Sequence, residues 1–153
     1  MSTYEALLFG HLIAVIAWVG TDIALQLFYM RAKMAGPGQV ATFVADVEWI
    51  GLRLLNPASL LVVLFGVLLV IDSDFYGFSQ FWVWIGLVMF AISAATGAGF
   101  LGPESGRIKA LIESHGADSP EVQRRTARIL AISRIELVLL ILVMLDMVLK
   151  PGL

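Results

Sequence analysis

Four apolar segments, each close to the length of a membrane-crossing helix, constrain this chain more than any other feature of its sequence. They cover residues 7–30, 54–71, 81–101 and 129–149. A helix needs about 20 predominantly apolar residues to cross the hydrocarbon core of a bilayer. The chain of 153 residues is 59% hydrophobic and only 14% charged, whereas soluble domains are about 25% charged. The sequence therefore predicts an all-α integral membrane protein, a single four-helix transmembrane bundle over residues 1–153.

The distribution of basic residues predicts the orientation of this bundle. Lysine and arginine concentrate at the two longer connections, the first to the second segment and the third to the fourth: Arg31, Lys33, Arg53, Arg107, Lys109, Arg124, Arg125, Arg128 and Arg134. Against these, only Lys150 lies on the other side. Because cytoplasmic loops carry an excess of basic residues, we expect a multi-pass protein of the plasma or bacterial inner membrane with both termini outside.

Composition also excludes several classes of function. Cysteine is absent, which excludes disulfides, iron–sulfur clusters and cysteine nucleophiles. The formal net charge of −2 argues against nucleic-acid binding. The first apolar run exceeds the 7 to 15 residues of a signal-peptide core, so we expect it to be retained.

Two further stretches are predicted to form cytoplasmic helical extensions of the bundle. Residues 39–54 carry apolar side chains at helical spacing, which is typical of an amphipathic helix at the membrane surface. Asn56 and Pro57 follow, and proline predicts a kink there. Ser119 is a candidate N-cap for a helix over 120–149, whose first turns are expected to project from the membrane.

The first segment places its two ionisable residues on one face. At about 100° per residue, one stripe of this helix holds His11, Val15, Trp18, Asp22, Leu25 and Tyr29. Ionisable groups at membrane depth face the bundle interior or a water-filled cavity rather than lipid. With a rise of about 1.5 Å per residue, His11 and Asp22 lie roughly 16 Å apart along the axis. We therefore expect both to face protein, at two different levels.

At the inner level, we predict a buried cluster of two acids and two arginines: Asp22, Arg53, Arg134 and Glu136. An unpaired charge at the centre of a membrane helix costs about 2.5 to 3.5 kcal/mol on insertion scales, so mutual pairing is expected. Two interpretations are open. The cluster is either an ion-pair lock that fixes the register of the helices or a pathway for protons or anions.

At the outer level, His11 lies at the depth of Met144, Asp146 and Met147. A neutral imidazole is an axial ligand of haem iron, and a methionine thioether can serve as the sixth ligand. These residues suggest b-type haem on His11, with Met144 or Met147 opposite; the alternative is a core histidine hydrogen-bonded to a neighbour such as Asp146. His115 lies in a cytoplasmic loop, so a bis-histidine haem would need His11 from two protomers.

Two stretches resemble a known family. HLIAVIAWVG followed by LFYMRA is similar to the first helix of the HemJ-type protoporphyrinogen oxidases, bacterial membrane proteins whose pattern there is histidine, apolar spacer, tryptophan and glycine. RLLNPASLLVVLFGVLLV resembles their second helix, in which arginine, proline and glycine recur. Copper-resistance protein D and a family of uncharacterised bacterial four-helix predicted integral membrane proteins share similar features, and the latter fits the length of this chain.

The resemblance implies that His11 matches the haem-binding histidine of the HemJ-type proteins. Two positions depart from their pattern: Met30 and Arg31 stand where their first helix ends in tyrosine and histidine, and Gly86 stands where their third helix has a lysine. These departures speak against porphyrinogen oxidation but do not exclude haem binding.

Three functions follow as hypotheses. The first is a haem b protein for electron transfer or for oxidation of a lipid-soluble substrate. The second is a non-catalytic subunit or assembly factor of a larger membrane complex. The third, a small transporter using Asp22, is less favoured because the sequence has no evident inverted repeat or pair of broken helices. The expected partners are the lipid bilayer and a second copy or a complex partner.

Overall fold

The computed structural model describes residues 2–151, without the side chains of Ala41 and Ala45. Across these residues the chain forms six α-helices and two short π-helical segments, and it has no strand. The helices are α1 (Thr3–Ala35), α2 (Pro37–Ile50), α3 (Asn56–Asp72), α4 (Phe81–Thr96), α5 (Gly102–His115) and α6 (Pro120–Leu149). The all-α class predicted from the sequence is confirmed.

Local sequence signals set the ends of α1 and the start of α2. α1 begins in a capping box, in which Ser2 Oγ accepts a hydrogen bond from the Glu5 amide and the Glu5 carboxylate accepts one from the Ser2 amide. It ends at Gly36, whose φ of 112° is a conformation that residues with a side chain rarely adopt. Pro37 then opens α2, where its missing amide leaves no helical hydrogen bond unmade.

Two prolines are accommodated by π-helical segments that keep the helices continuous. Gly51–Leu55 joins α2 to α3 just before Pro57, and Gly97–Leu101 joins α4 to α5 just before Pro103. Proline has no amide hydrogen to donate and its ring crowds the carbonyl of the preceding turn. In a π-helical turn the hydrogen bonds join residues five apart instead of four, so the backbone pairing before each proline changes. The disturbance predicted at Pro57 is therefore a widened turn within a continuous helix.

α6 follows the sequence prediction closely. Ser119 Oγ caps it by accepting a hydrogen bond from the Val122 amide, and Pro120 occupies the first position. The helix then runs unbroken for 30 residues. It is long enough to contact both the apolar bundle and the polar extension.

The helices pack as two connected layers. In the first, α1 packs along α3, α4 packs along α6, and α1 also contacts α6; its buried core is Trp18, Val19, Ala58 and Leu140. In the second, α2 packs on α5 and the start of α6, around Val44, Ile108 and Val122. The first layer contains the apolar segments, and the second contains the predicted extensions.

An ion pair ties α5 to α6 within the second layer. Glu104 is 4% exposed and accepts a hydrogen bond of 2.9 Å from Arg125 Nη1. Arg107 lies 3.5 Å from the same carboxylate. Hydrogen bonds from the guanidinium to Glu104 and Glu121 raise the pKa of Arg125 above its ordinary value, so this arginine stays charged.

Three continuous helical segments are long and apolar enough to cross a membrane: Thr3–Ala35, Pro37–Asp72 and Phe81–His115. Their outward faces expose large apolar side chains, for example Phe9, Ile16 and Leu60, as expected of a surface that contacts lipid. α6 is not among these three segments. Its apolar half also carries three ionisable residues, Arg134, Glu136 and Asp146.

Candidate functional site

Two cavities lie at successive levels of the helix bundle. One, of about 340 Å³, is lined by His11 and is called the His11 cavity. The other, of about 640 Å³, is lined by Asp22 and is called the Asp22 cavity. Trp18 and Leu140 line both cavities, and Trp18 meets Phe90 edge to face with ring centroids 5.8 Å apart. An apolar layer therefore lies between two sites of different chemistry.

His11 is held by the backbone of the neighbouring helix. Its Nδ1 lies 3.0 Å from the carbonyl oxygen of Val62 on α3. A carbonyl oxygen can only accept a hydrogen bond, so Nδ1 carries the proton and donates the hydrogen bond to Val62. The neutral ring then has its lone pair on Nε2, which is the atom that can bind a metal or accept a proton. This partner is the Val62 carbonyl rather than the Asp146 carboxylate considered from the sequence.

Two glycines allow α1 and α3 to approach closely around this histidine. A Cβ added at Gly66 would lie 3.3 Å from His11 Cε1, and one added at Gly10 would lie 3.0 Å from the Phe65 ring. Both distances are tighter than ordinary side-chain contacts, so any larger residue would displace a ring. The small residues thus set the position of the imidazole.

The structure places both candidate methionines around the same cavity as His11. Met144 and Met147 of α6 line it, and a Cβ added at Gly86 of α4 would overlap Met147 Cε. The methyl group of Met147 is therefore seated on Gly86, in space that a side chain would otherwise fill. Gly86 is the position at which the HemJ-type pattern has a lysine.

Sequence reasoning did not assign several lining residues to the His11 cavity, among them Tyr4, Tyr76, Trp82 and Lys150. Lys150 Nζ donates to the Tyr76 hydroxyl at 3.1 Å and lies 4.7 Å from the centroid of that ring. Tyr76 in turn meets Trp82 edge to face at 5.5 Å. Lys150 lies one residue beyond α6, and the sequence analysis used it only to predict the orientation of the bundle in the membrane.

The Asp22 cavity collects polar side chains from α1, α4 and α6. Gln26 Nε2 donates to Ser133 Oγ at 2.7 Å, and Ser93 Oγ donates to Glu136 Oε1 at 2.6 Å. Asp22 Oδ2 and Gln26 Oε1 are shielded from solvent and have no hydrogen-bond partner in the described part of the chain. The cavity thus holds two shielded oxygen atoms that lack a donor.

The structure brings Asp22 and Glu136 together around this cavity, but it does not bring the two arginines there. Arg53 and Arg134 are exposed, and neither lines the cavity. The Arg53 guanidinium lies over the Trp49 ring, 4.6 Å from its centroid. The ion pairs found between described residues join Glu104 to Arg107 and Arg125, Glu48 to Lys109, and Glu121 to Arg125.

Comparison with known proteins identifies a family but no closer relative. A family model described as "Predicted integral membrane protein (DUF2269)" matches residues 5–151. Comparison with curated proteins and with solved structures gave no match.

Proposed function

The chain is a member of the DUF2269 family of predicted integral membrane proteins, and we propose that this member binds b-type haem in the His11 cavity through His11 Nε2. The observation that supports this most strongly is the hydrogen bond of 3.0 Å between His11 Nδ1 and the Val62 carbonyl. Metal-binding histidines almost always donate their other ring N–H to a carbonyl or carboxylate, which fixes the tautomer and the ring orientation. The bond gives His11 that arrangement.

The donor set of this cavity fits a porphyrin better than a bare metal ion. The described residues contain no group of three or more His, Cys, Asp and Glu side chains that could hold a metal ion. In haem, the porphyrin provides four nitrogen ligands to the iron, and the protein provides only the axial ligands. One imidazole and one thioether are sufficient, and the cavity offers His11 with Met144 and Met147.

The walls and rim of the cavity suit an amphipathic cofactor. The lining is mostly apolar and includes Trp18, Trp82 and Phe90, and its volume of about 340 Å³ lies near the lower end of the range of ligand pockets, about 300 to 1,000 Å³. Lys150 and the Tyr76 hydroxyl also line the cavity, and both are donors for a carboxylate such as a haem propionate. Bound haem supplies one-electron transfer, and methionine ligation raises its reduction potential.

Electron transfer, or oxidation of a lipid-soluble substrate, is the function that these features support. In this proposal His11 would hold the haem iron through Nε2, the apolar lining would limit the access of water, and Lys150 would pair with an acidic group of the cofactor. Exclusion of water matters because the dielectric around a redox centre tunes its potential.

The proposal includes four crossings of the membrane, with both termini outside and with the plasma membrane as the location. α6 packs against α4 and α1, so it shares the environment of helices that are apolar enough to cross. Its polar residues do not prevent this, since Glu136 accepts a hydrogen bond from Ser93 of α4 and ionisable residues in spanning helices face the bundle interior.

An absorption spectrum of the purified protein tests the proposal. The protein, produced in a host supplied with haem precursors, is expected to show a Soret band and to yield haem b on extraction. His11→Ala should lose the Soret band. His115→Ala should keep it, because His115 is exposed and hydrogen-bonded to Ser114 outside the cavity. Size-exclusion profiles and circular dichroism of both variants check folding.

Two outcomes would contradict haem binding at this site. One is a colourless wild-type preparation that retains no haem after incubation with haemin and removal of the excess, which would favour the non-catalytic subunit. The other is a Soret band unchanged in a folded His11→Ala variant, which would move the haem away from this cavity.

A further inference from the structure

The Asp22 cavity has no role in the proposed haem site and has its own chemistry. Its ionisable lining residues are Asp22, Glu48 and Glu136, and no described lining residue is Lys, Arg or His. Glu48 already has a cation, since Lys109 Nζ lies 3.4 Å from its carboxylate. Among the described residues, Asp22 and Glu136 have no cation partner, although an unpaired charge at membrane depth is costly.

The hydrogen bonds around this cavity leave acceptors, rather than donors, without a partner. Gln26 uses its amide nitrogen on Ser133, and Glu136 Oε1 accepts from Ser93. Asp22 Oδ2 and Gln26 Oε1 have no partner in the described chain and are shielded from solvent. Buried polar atoms are normally satisfied. These two acceptors are therefore free to receive donors from a bound molecule, and the carboxyl groups of Asp22 and Glu136 favour a molecule that carries a positive charge.

The size and lining of the cavity favour an organic cation over a metal ion. The volume of about 640 Å³ is in the range of pockets for small molecules. Trp18 and Phe43 line it, and aromatic faces attract ammonium groups. The described residues hold no cluster of three or more metal-ligating side chains. Both π-helical segments contribute to its wall, and π-turns inside helices occur frequently at functional sites.

We propose that the Asp22 cavity binds a protonated primary amine, whose N–H groups donate to Asp22 Oδ2 and Gln26 Oε1 and whose hydrocarbon part packs beside Trp18 and Phe43. A primary ammonium group is the simplest ligand that supplies both the positive charge and more than one donor. This site is not the His11 cavity, and the proposal does not depend on whether haem binds in the His11 cavity.

Calorimetry with three related probes tests this proposal. Benzylamine, protonated at neutral pH, carries a positive charge and N–H donors. Benzyltrimethylammonium carries the charge without donors, and benzyl alcohol carries a donor without the charge. The purified protein in lipid nanodiscs is expected to bind benzylamine saturably, and to bind each of the other two at least roughly tenfold more weakly, because hydrogen bonds between ionised partners are the strong ones.

Variants assign the binding to this cavity. Asp22→Asn and Gln26→Met should each weaken benzylamine binding by roughly tenfold, and the second keeps the test available if the first fails to fold. Asp146→Asn is the matched control, because Asp146 is a carboxylate of α6 with one shielded, unpartnered oxygen that lines neither cavity. No saturable binding by the wild type, or equal binding by wild type and a folded Asp22 or Gln26 variant, would overturn the proposal.

Discussion

The proton on His11 Nδ1 decides which atom of the ring can meet a ligand. Val62 lies within a helix, but a carbonyl oxygen has two lone pairs and can accept the imidazole as well as a helical amide. With Nδ1 held there at 3.0 Å, ligand binding falls to Nε2. The depth of this group in the bundle follows from sequence position. Its hydrogen-bond partner does not, because every helix presents the same carbonyls and only tertiary packing selects one of them.

At the same residue scale, the two methionines are expected to differ. Met144 is 43% exposed, whereas Met147 is less exposed and its methyl group rests on Gly86. A held side chain loses less freedom on coordination. We therefore predict that Met147 is the sixth ligand, and that Met147→Leu lowers the midpoint potential of bound haem by on the order of 100 mV.

Redox titration of the two variants checks this assignment. Met144→Leu serves as the control and should leave the potential close to that of the wild type. A larger shift in Met144→Leu than in Met147→Leu would exchange the roles of the two residues, and no shift in either would exclude methionine as a ligand.

At the scale of elements, the close contact of α1 with α3 controls the site. Gly66→Ala should push against His11 Cε1, since the added Cβ would lie 3.3 Å from it, and overpacking of this kind costs about 1 to 3 kcal/mol. We expect weaker haem binding by roughly tenfold, measured by titration with haemin. Gly20→Ala is the control because a Cβ there meets nothing within 4 Å. Equal affinities of the two variants would show that this contact does not position the ring.

Helix ends were predictable, and helix pairing was not. Ser119 followed by Pro120 specifies the start of α6, and Gly36 followed by Pro37 separates α1 from α2, because caps act locally. Which helices pair is a different problem. In a bilayer the lipid is as apolar as the side chains, so apolar periodicity does not mark the inward face. The π-helical segments also had no sequence signal beyond the prolines that follow them.

The same limit explains the predicted cluster of two acids and two arginines. Sequence depth alone grouped Asp22, Glu136, Arg53 and Arg134. In the structure the first two line one cavity, and both arginines are exposed. Long basic side chains near helix ends reach toward the interface and leave the interior. The positions of these residues along the helices were therefore enough to predict that the two acids lie close together. They were not enough to predict the direction in which each arginine side chain extends.

At the scale of the whole molecule, the number of crossings sets the relation between the termini. Four crossings place both termini on one side of the membrane, and three place them on opposite sides. The chain has no cysteine, so single cysteines report cleanly. We predict that Ser2→Cys, Asp74→Cys and Pro151→Cys react with an impermeant thiol reagent added outside intact cells, and that Ser114→Cys reacts only after lysis. Labelling of Ser2→Cys and Pro151→Cys from opposite sides would contradict four crossings.

The most direct test of the haem site is to replace the His11 side chain by imidazole added in solution. His11→Gly removes the side chain that occupies the space beside Gly66. We predict that the haem-free variant retains haem, seen as a Soret band that co-elutes with the protein, when haemin is added together with imidazole. His115→Gly should need no imidazole. A His11→Gly variant that binds haem equally well without imidazole, or a wild-type protein that never binds haem, would contradict the assignment of His11 as the axial ligand.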